Sequence, residues 1–201
     1  MFNISNIKIS FEKVLSRLNY SKSKTKLDAK TERLIKEILS LASKLINPKS
    51  VLSFENILIK GGAVYFENGY KIESADIAKL LKNSFQVCGA AVTLGSALEK
   101  KRDDFLSQKE TFNALILDAA GSVAAEEAAE VLYGQIKEKQ KTKGFSITRR
   151  YSAGYGDWKL DGQKDFLIWL GADLIGIKLN ESYLMNPEKS VSFLLGVIDE
   201  N

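Results

Sequence analysis

The feature that most constrains the fold is a long helical stretch, "ETFNALILDAAGSVAAEEAAEVLYGQIKEK", which runs from Glu110 to Lys139. Its middle is rich in alanine, a residue that favours helix and lets a neighbouring element approach the helix backbone closely. The alanines are Ala119, Ala120, Ala124, Ala125, Ala128 and Ala129. The sequence therefore predicts one long helix in close contact with another layer of the protein. Asp118 lies among apolar neighbours in this helix and, if buried, needs a polar partner.

Other helix-like and strand-like segments follow one another irregularly along the chain. Residues 1–48 are predicted to be helical: "FEKVLSRL" has a helical pattern, and a longer helix begins after a cap at Asp28 and ends before Pro48. Later helices are predicted at "ADIAKLLKN", capped by Ser74, at "SALEKKRDDFL" and at "QKDFLIWL". Strands are predicted at "VLSFENILIK", "AVYFEN", "FQVCGAAVTLG", "LIGIKL" and "SVSFLLGVI", with a turn at Gly61-Gly62. This mixed order predicts one α+β domain over residues 1–201 rather than a series of βαβ units.

The absence of histidine excludes several kinds of active site. Without imidazole the chain has no general base of that type near neutral pH, no Ser-His-Asp or Cys-His nucleophile, and no His-containing zinc site. No acidic cluster has the spacing of a metal-binding loop, so we expect neither catalytic residues nor a metal site. The single cysteine, Cys88, excludes an internal disulfide and is predicted to fill a core position.

Charge and hydropathy indicate which partners to expect. The net charge of +4 is mild, and the one dense basic run, "SKSKTKLDAK", is predicted to be a solvated linker rather than a nucleic-acid contact. No apolar run approaches the roughly 20 residues that span a bilayer. The first residues, "MFNISNIKISFEK", lack the pattern of a signal peptide. We therefore expect a cytoplasmic protein with no nucleic-acid partner and no membrane partner.

One glycine-containing segment, "GAAVTLGS", follows a predicted strand and precedes a predicted helix, as phosphate-binding loops do. It has neither the Gly-x-Gly-x-x-Gly spacing nor the Gly-Lys-Ser/Thr of a P-loop. Gly89 and Gly95 are therefore predicted to serve packing and a turn.

A second segment, "RRYSAGYGDWKLDGQ" from Arg149 to Gln163, has no helical or strand period and concentrates groups that bind ligands. The planar guanidinium of Arg150 can hold a carboxylate through two hydrogen bonds. Gly154 lets a ligand lie against the backbone, and Tyr155 offers a flat face to a heteroaromatic ring or a cation. Carboxylate, heteroaromatic base and cation together describe S-adenosylmethionine. The alternative is a surface turn in which an arginine stacks on a tyrosine.

Three glutamates in the small-residue part of the long helix are further candidates: Glu126, Glu127 and Glu130. A carboxylate there could accept hydrogen bonds from an amino or hydroxyl group of a ligand. The alternative is that they are ordinary solvated side chains.

Two segments, "TRRYSAGYGDWKLDGQ" and "IGIKLNESYLMNPEKSVSFLLGV", resemble the reactivation domain of cobalamin-dependent methionine synthase. The binding signature of that family, Arg-x-x-x-Gly-Tyr, matches at Arg150, Gly154 and Tyr155. A second family segment, approximately Leu-Thr-Glu-Ser-x-x-Met-x-Pro, matches between Leu179 and Pro187, and the resemblance is firmest over residues 92–197. It implies a single domain with a curved, largely antiparallel sheet and packed helices.

The resemblance also implies a ligand and its contacts. S-adenosylmethionine would be bound with its methionyl carboxylate on Arg150 and with the ring of Tyr155 in contact. A glutamate of the long helix belongs to the family's site, and Glu126 matches it best, with Glu127 as the alternative if the alignment shifts. The backbone that would line the ligand comprises Tyr151, Ser152, Ala153 and Gly154. Two other family contacts, an early acidic residue and an aromatic residue after the last strand, cannot be aligned here.

In that family the domain presents S-adenosylmethionine to a cobalamin held by another domain, so that the cofactor is remethylated reductively. A chain without histidine cannot contain the family's cobalamin-binding Asp-x-His-x-x-Gly motif. The cobalamin must then come from a partner, a cobalamin-dependent methionine synthase that lacks its own reactivation module. A flavodoxin-like protein or another donor would supply electrons.

Two other functions remain open at this point. The chain could be an interaction module that caps a corrinoid protein without using S-adenosylmethionine. It could also be a self-sufficient methyltransferase that uses the same loop, although it lacks a histidine base.

Overall fold

The computed structural model of the chain describes residue 4, residues 6–20 and residues 27–200. Residues 21–26 of the predicted linker lie outside this part. The helices are α1 Phe11–Arg17, α2 Ala29–Leu45, α3 Ala75–Leu80, α4 Ala97–Ser107, α5 Thr111–Lys141 and α6 Gln163–Leu170. The strands are β1 Lys49–Lys60, β2 Ala63–Phe66, β3 Lys71–Glu73, β4 Gln86–Thr93, β5 Phe145–Ile147, β6 Lys178–Leu179, β7 Met185–Asn186 and β8 Ser190–Asp199. Short 3₁₀ turns cover Leu160–Gly162 and Ala172–Ile175.

Six strands form one sheet in the order β3-β2-β1-β4-β8-β5, and every neighbouring pair is antiparallel. The nearly apolar strand β4 lies between β1 and β8, where Cys88 pairs with Phe54 on one side and with Leu195 on the other. Strands β6 and β7 form a separate two-stranded ladder. The α+β fold with a largely antiparallel sheet, predicted from the sequence, is confirmed.

The two faces of the sheet carry two separate apolar cores, because side chains alternate along each strand. One core joins Cys88, Ala90 and Val92 of β4 to the layer formed by α1, α2, α4 and α5. The other joins Val87 and Ala91 to α3, α6 and the segment after β5. Cys88 fills a buried core position, as predicted.

Glycines also behave as the sequence predicts. A Cβ at Gly89 would lie 2.2 Å from the ring of Trp169, so this glycine makes room for the tryptophan on the sheet. Gly95 has a φ of +76°, which suits the turn that ends β4.

The long helix α5 lies across the sheet and against three other helices. Its small residues face these neighbours, and Ala120, Ala124 and Ala128 have no exposed surface. Asp118 is only partly buried, with 39% of its side chain exposed, and it has two polar partners: Lys189 Nζ lies 2.7 Å from its carboxylate and Arg102 Nη1 lies 3.3 Å from it. Burial alone would raise the pKa of Asp118, but the hydrogen bonds and charges of Lys189 and Arg102 together outweigh burial, and the pKa is lowered.

One predicted strand is mostly wrong. The segment "LIGIKL" forms the end of a 3₁₀ turn, and only Lys178–Leu179 is a strand. Gly171 and Gly176 flank this turn with φ values of +64° and +87°, a backbone that no strand can follow. The short strands β3, β5 and β7 were not predicted, because two or three residues are too few to show a period.

We expect Ala124→Leu to destabilise the fold by about 1–3 kcal/mol, because the larger side chain overpacks a fully buried position on α5. Thermal or chemical unfolding measures the change. Glu138→Leu, which places a leucine at an exposed position of the same helix, is the control and should leave the midpoint nearly unchanged. Equal midpoints for wild type and Ala124→Leu would show that α5 is not tightly packed.

Candidate functional site

A β-bulge directs the two arginines that follow β5. Thr148 N–H donates to Gly196 O, and Tyr151 exchanges two backbone hydrogen bonds with Leu194, at 2.9 and 2.8 Å. Between these two paired positions the chain has two residues, Arg149 and Arg150, whereas β8 has only one, Leu195. Such a bulge turns side chains out of the regular alternation.

The two guanidinium groups lie over different rings. That of Arg150 lies over Phe193, 5.2 Å from the ring centroid, and that of Arg149 lies over Tyr151 at 5.5 Å. Phe193 belongs to the core on the α5 side of the sheet, and Tyr151 belongs to the core on the opposite side. The bulge thus aims Arg150 toward α5.

Two glutamates of α5 accept hydrogen bonds from the Arg150 guanidinium. Its Nη2 atom lies 2.5 Å from Glu130 Oε1 and 3.4 Å from Glu126 Oε2. The two carboxylates are one helical turn apart and share a face of α5. Glu127 lies elsewhere on the helix and pairs with Lys13 at 3.4 Å. Of the two glutamates that the sequence left open for this position, Glu126 is the one beside Arg150.

A cavity of about 590 Å³ opens between α5, the bulge and β8. This volume falls within the range of roughly 300–1,000 Å³ that is typical of small-molecule sites. Its lining brings two acidic and two basic side chains together with tyrosine rings, so that both signs of charge are available to a ligand. The lining residues are Glu126, Glu130, Tyr133, Arg149, Arg150, Tyr151, Ser152, Tyr155 and Val191.

Five of the seven predicted site residues line this cavity: Glu126, Arg150, Tyr151, Ser152 and Tyr155. The other two, Ala153 and Gly154, follow Ser152 in the same segment but do not line it. Ala153 is buried in the core beneath α3 and α6, and Gly154 donates its N–H to Trp158 O at 2.8 Å.

The predicted residues differ in how free their side chains are. Ser152 Oγ donates to Ser192 O at 2.7 Å, which fixes this hydroxyl to β8. The Tyr151 hydroxyl lies 3.1 Å from Tyr155 O and 3.3 Å from Asp76 Oδ2. Burial and the nearby Asp76 raise the pKa of Tyr151. Tyr155 as a whole residue is 69% exposed, so its ring is accessible at the cavity.

Sequence reasoning did not assign four of the lining residues to the site. Tyr133 lies seven residues after Glu126, so helical spacing could have placed it on the same face of α5. Glu130 was one of three glutamates considered, and the same spacing favours it over Glu127. Arg149 adjoins Arg150, but only the bulge shows that both line the cavity. Nothing in the sequence placed Val191 at the cavity, because its position depends on the pairing of β8 with β4.

The far end of the loop is fixed to α3 by Asp157. Its carboxylate accepts hydrogen bonds from the Ser74 hydroxyl and from the N–H groups of Ala75 and Asp76, the latter at 2.7 and 3.3 Å. Gly156 lies at a φ of +52°, and a Cβ there would lie 2.2 Å from both Asp76 Oδ2 and the Tyr151 hydroxyl. The loop therefore passes close against α3, and only glycine fits at its tightest point.

Within the described residues, no group of three or more Cys, Asp or Glu side chains is arranged to hold a metal ion. None of the helices in that part of the chain has the length and apolar composition needed to cross a membrane.

The hydrogen bonds of Asp157 stabilise the folded protein only while the carboxylate is ionised, so they make the free energy of unfolding depend on pH. The Ser74 hydrogen bond, with the backbone N–H groups, lowers the pKa of Asp157 below its ordinary value of 3.8. The stabilisation is therefore complete above about pH 4 and is lost as the pH falls through the lower pKa of the folded state. We expect Asp157→Asn to lower the thermal midpoint at pH 7 and the difference from wild type to shrink toward pH 3.

Circular dichroism melting curves at several pH values measure this difference. Asp161→Asn, at an exposed aspartate four residues further along, is the control and should show no such trend. A difference that stays constant with pH, or no difference at pH 7, would contradict the role of Asp157.

Comparison with known proteins supports the fold. No protein-family model matches the sequence, and a search of curated proteins gives no match. Among solved structures, the chain is similar to the crystal structure of the MetH reactivation domain bound to AdoHcy, with a TM-score of 0.70 and 18% sequence identity. The similarity covers 93% of this chain and 73% of that one. The chain therefore has the fold of a MetH reactivation domain, as its sequence motifs predict.

Proposed function

We propose that this protein binds S-adenosylmethionine in the cavity beside Arg150 and docks on a separate cobalamin-dependent methionine synthase. There, in the cytoplasm, it would support reductive remethylation of the partner's cobalamin. The observation that carries the proposal is the position of Arg150, the arginine of the family's signature. It lines a ligand-sized cavity in a fold similar to one that was crystallised with AdoHcy (S-adenosylhomocysteine).

The residues of the cavity fit the chemical groups of the ligand. The guanidinium of Arg150 would hold the methionyl carboxylate, and the exposed ring of Tyr155 would contact the adenine or the sulfonium. Glu126 offers a carboxylate to the ligand's ammonium group. Tyr151 and Ser152 would form one wall, and Ser152 is already fixed to β8.

When bound, S-adenosylmethionine supplies a methyl group on its electron-poor sulfonium and leaves AdoHcy after transfer. The reducing electrons would come from a flavodoxin-like protein or another donor. The chain's own part is to bind and orient the ligand. Holding two reactants in a fixed geometry turns their encounter into an almost unimolecular step, which accounts for a rate increase without a general base.

The need for a cobalamin-carrying partner is inferred from the absence of histidine in this sequence. With no histidine, the chain cannot supply the family's cobalamin-binding motif. A partner that carries the cobalamin and has no reactivation module of its own would complete the reaction. A module that caps a corrinoid protein without using S-adenosylmethionine is the alternative, and the following experiment separates the two.

We expect the protein, mixed with S-adenosylmethionine, an electron donor and an inactive cobalamin-loaded methionine synthase without its own reactivation module, to restore methylcobalamin. The visible spectrum of the cobalamin reports the change. Recovery should require both this protein and S-adenosylmethionine. If the cobalamin stays inactive with several partners and donors, the reactivation proposal is wrong and the capping alternative is favoured.

Arg150→Ala is the informative variant in this assay. Loss of a charge-assisted hydrogen bond to a carboxylate costs about 1.5–3 kcal/mol, so half-maximal recovery should require roughly tenfold more S-adenosylmethionine or more. Arg33→Ala is the matched control, because the one carboxylate that Arg33 contacts among the described residues is Glu37, on the exposed face of α2. An unchanged requirement in Arg150→Ala would exclude Arg150 as the carboxylate contact.

A further inference from the structure

The Arg150 guanidinium already binds two carboxylates of its own chain through a single nitrogen. Nη2 donates to Glu130 Oε1 at 2.5 Å and to Glu126 Oε2 at 3.4 Å. No contact with another carboxylate is seen for Nε or Nη1 among the described residues. Because both glutamates contact Nη2, they determine whether a ligand carboxylate can also be held through two hydrogen bonds.

Arginine can hold a carboxylate through two hydrogen bonds in either of two ways. The carboxylate can lie beside the group, on Nε and Nη2, or at its end, on Nη1 and Nη2. Both arrangements need Nη2. A ligand carboxylate can therefore be held by two hydrogen bonds only if at least one glutamate gives up its contact. Glu130, with the shorter contact, is the main obstacle.

Glu126 and Glu130 can break their contact with Arg150 more easily than the Arg150 side chain can move away from them. The Arg150 side chain is 20% exposed and its guanidinium lies over the buried ring of Phe193. The side chains of Glu126 and Glu130 are 56% and 54% exposed, so each can rotate into solvent. Exposed ion pairs contribute little to stability, so the exchange has a small energetic cost.

We infer that Glu130 is an internal competitor for Arg150 and sets how strongly the site prefers ligands that carry a carboxylate. This inference rests on the proposed function, because it assigns the ligand's carboxylate to Arg150. Glu130 lowers the affinity of the site for S-adenosylmethionine and AdoHcy alike. It has no such effect on an adenosine compound without the amino-acid end. Glu126, with its longer contact, stays free to accept a hydrogen bond from the ligand's ammonium group.

The test compares two ligands by calorimetry. AdoHcy carries the carboxylate, and 5′-methylthioadenosine has the adenosine and the sulfur without it. Glu130→Gln keeps the shape of the side chain and removes its charge. We expect it to tighten AdoHcy binding by about 1.4- to 5-fold, the range that corresponds to measured exposed ion pairs, and to leave the affinity for 5′-methylthioadenosine unchanged. Glu127→Gln, on the same helix but paired with Lys13, is the control and should change neither affinity.

The other outcomes overturn the inference in distinguishable ways. If AdoHcy binds the wild type and Glu130→Gln with equal affinity, or binds the variant more weakly, Glu130 is not a competitor and the proposed function still stands. An equal gain for both ligands, or a gain in Glu127→Gln, would show a general charge effect instead. If AdoHcy binds neither the wild type nor Glu130→Gln, the proposed function fails and the inference fails with it.

Discussion

The close packing of α5 on the sheet is the contact on which the rest of the site depends. Ala120, Ala124 and Ala128 are fully buried, so the backbone of the helix can lie near the strands without large side chains between them. At Gly121 a Cβ would lie 3.1 Å from the side chain of Lys189, the residue before β8, and 3.2 Å from Leu98 of α4, so the helix is closely packed there too. Because the helix lies this close, Glu126 and Glu130 can reach the edge of the sheet where Arg150 emerges.

The other half of the site depends on the sheet edge itself. The bulge after β5 places Arg150 on the α5 side, while Tyr151 on the opposite side holds the loop to β8 and to the core. Asp157 then fixes the loop to the start of α3. Arg150 is thus positioned by backbone pairing on one side and by a side-chain cap on the other. A ligand carboxylate would meet a guanidinium whose orientation is set before binding, which reduces the entropic cost of binding.

Much of the fold could be predicted because its signals are local. The cap at Asp28, the cap at Ser74 and the turn at Gly61-Gly62 each act within a few residues, and each lies where the sequence places it. Five of the nine residues that line the candidate cavity could also be predicted, four of them because the Arg-x-x-x-Gly-Tyr segment is short and continuous in sequence.

The contacts across the cavity could not be predicted, because they depend on how distant segments are paired. The bulge arises because Thr148 pairs with Gly196 while Tyr151 pairs with Leu194. Neither pairing can be read from the local sequence. Whether Glu126 or Glu127 faces Arg150 depends on the rotation of α5 about its axis, which its packing on the sheet sets. For the same reason, the ion pair between Glu130 and Arg150 became apparent only in the structure.

The proposed function requires that this protein bind S-adenosylmethionine by itself, before any partner is present. Titration of the wild-type protein with S-adenosylmethionine alone in a calorimeter tests it most directly. We expect saturable heat with one site per chain, and competition when AdoHcy is added first. No heat with millimolar ligand, from protein whose circular dichroism shows it to be folded, would contradict the claim.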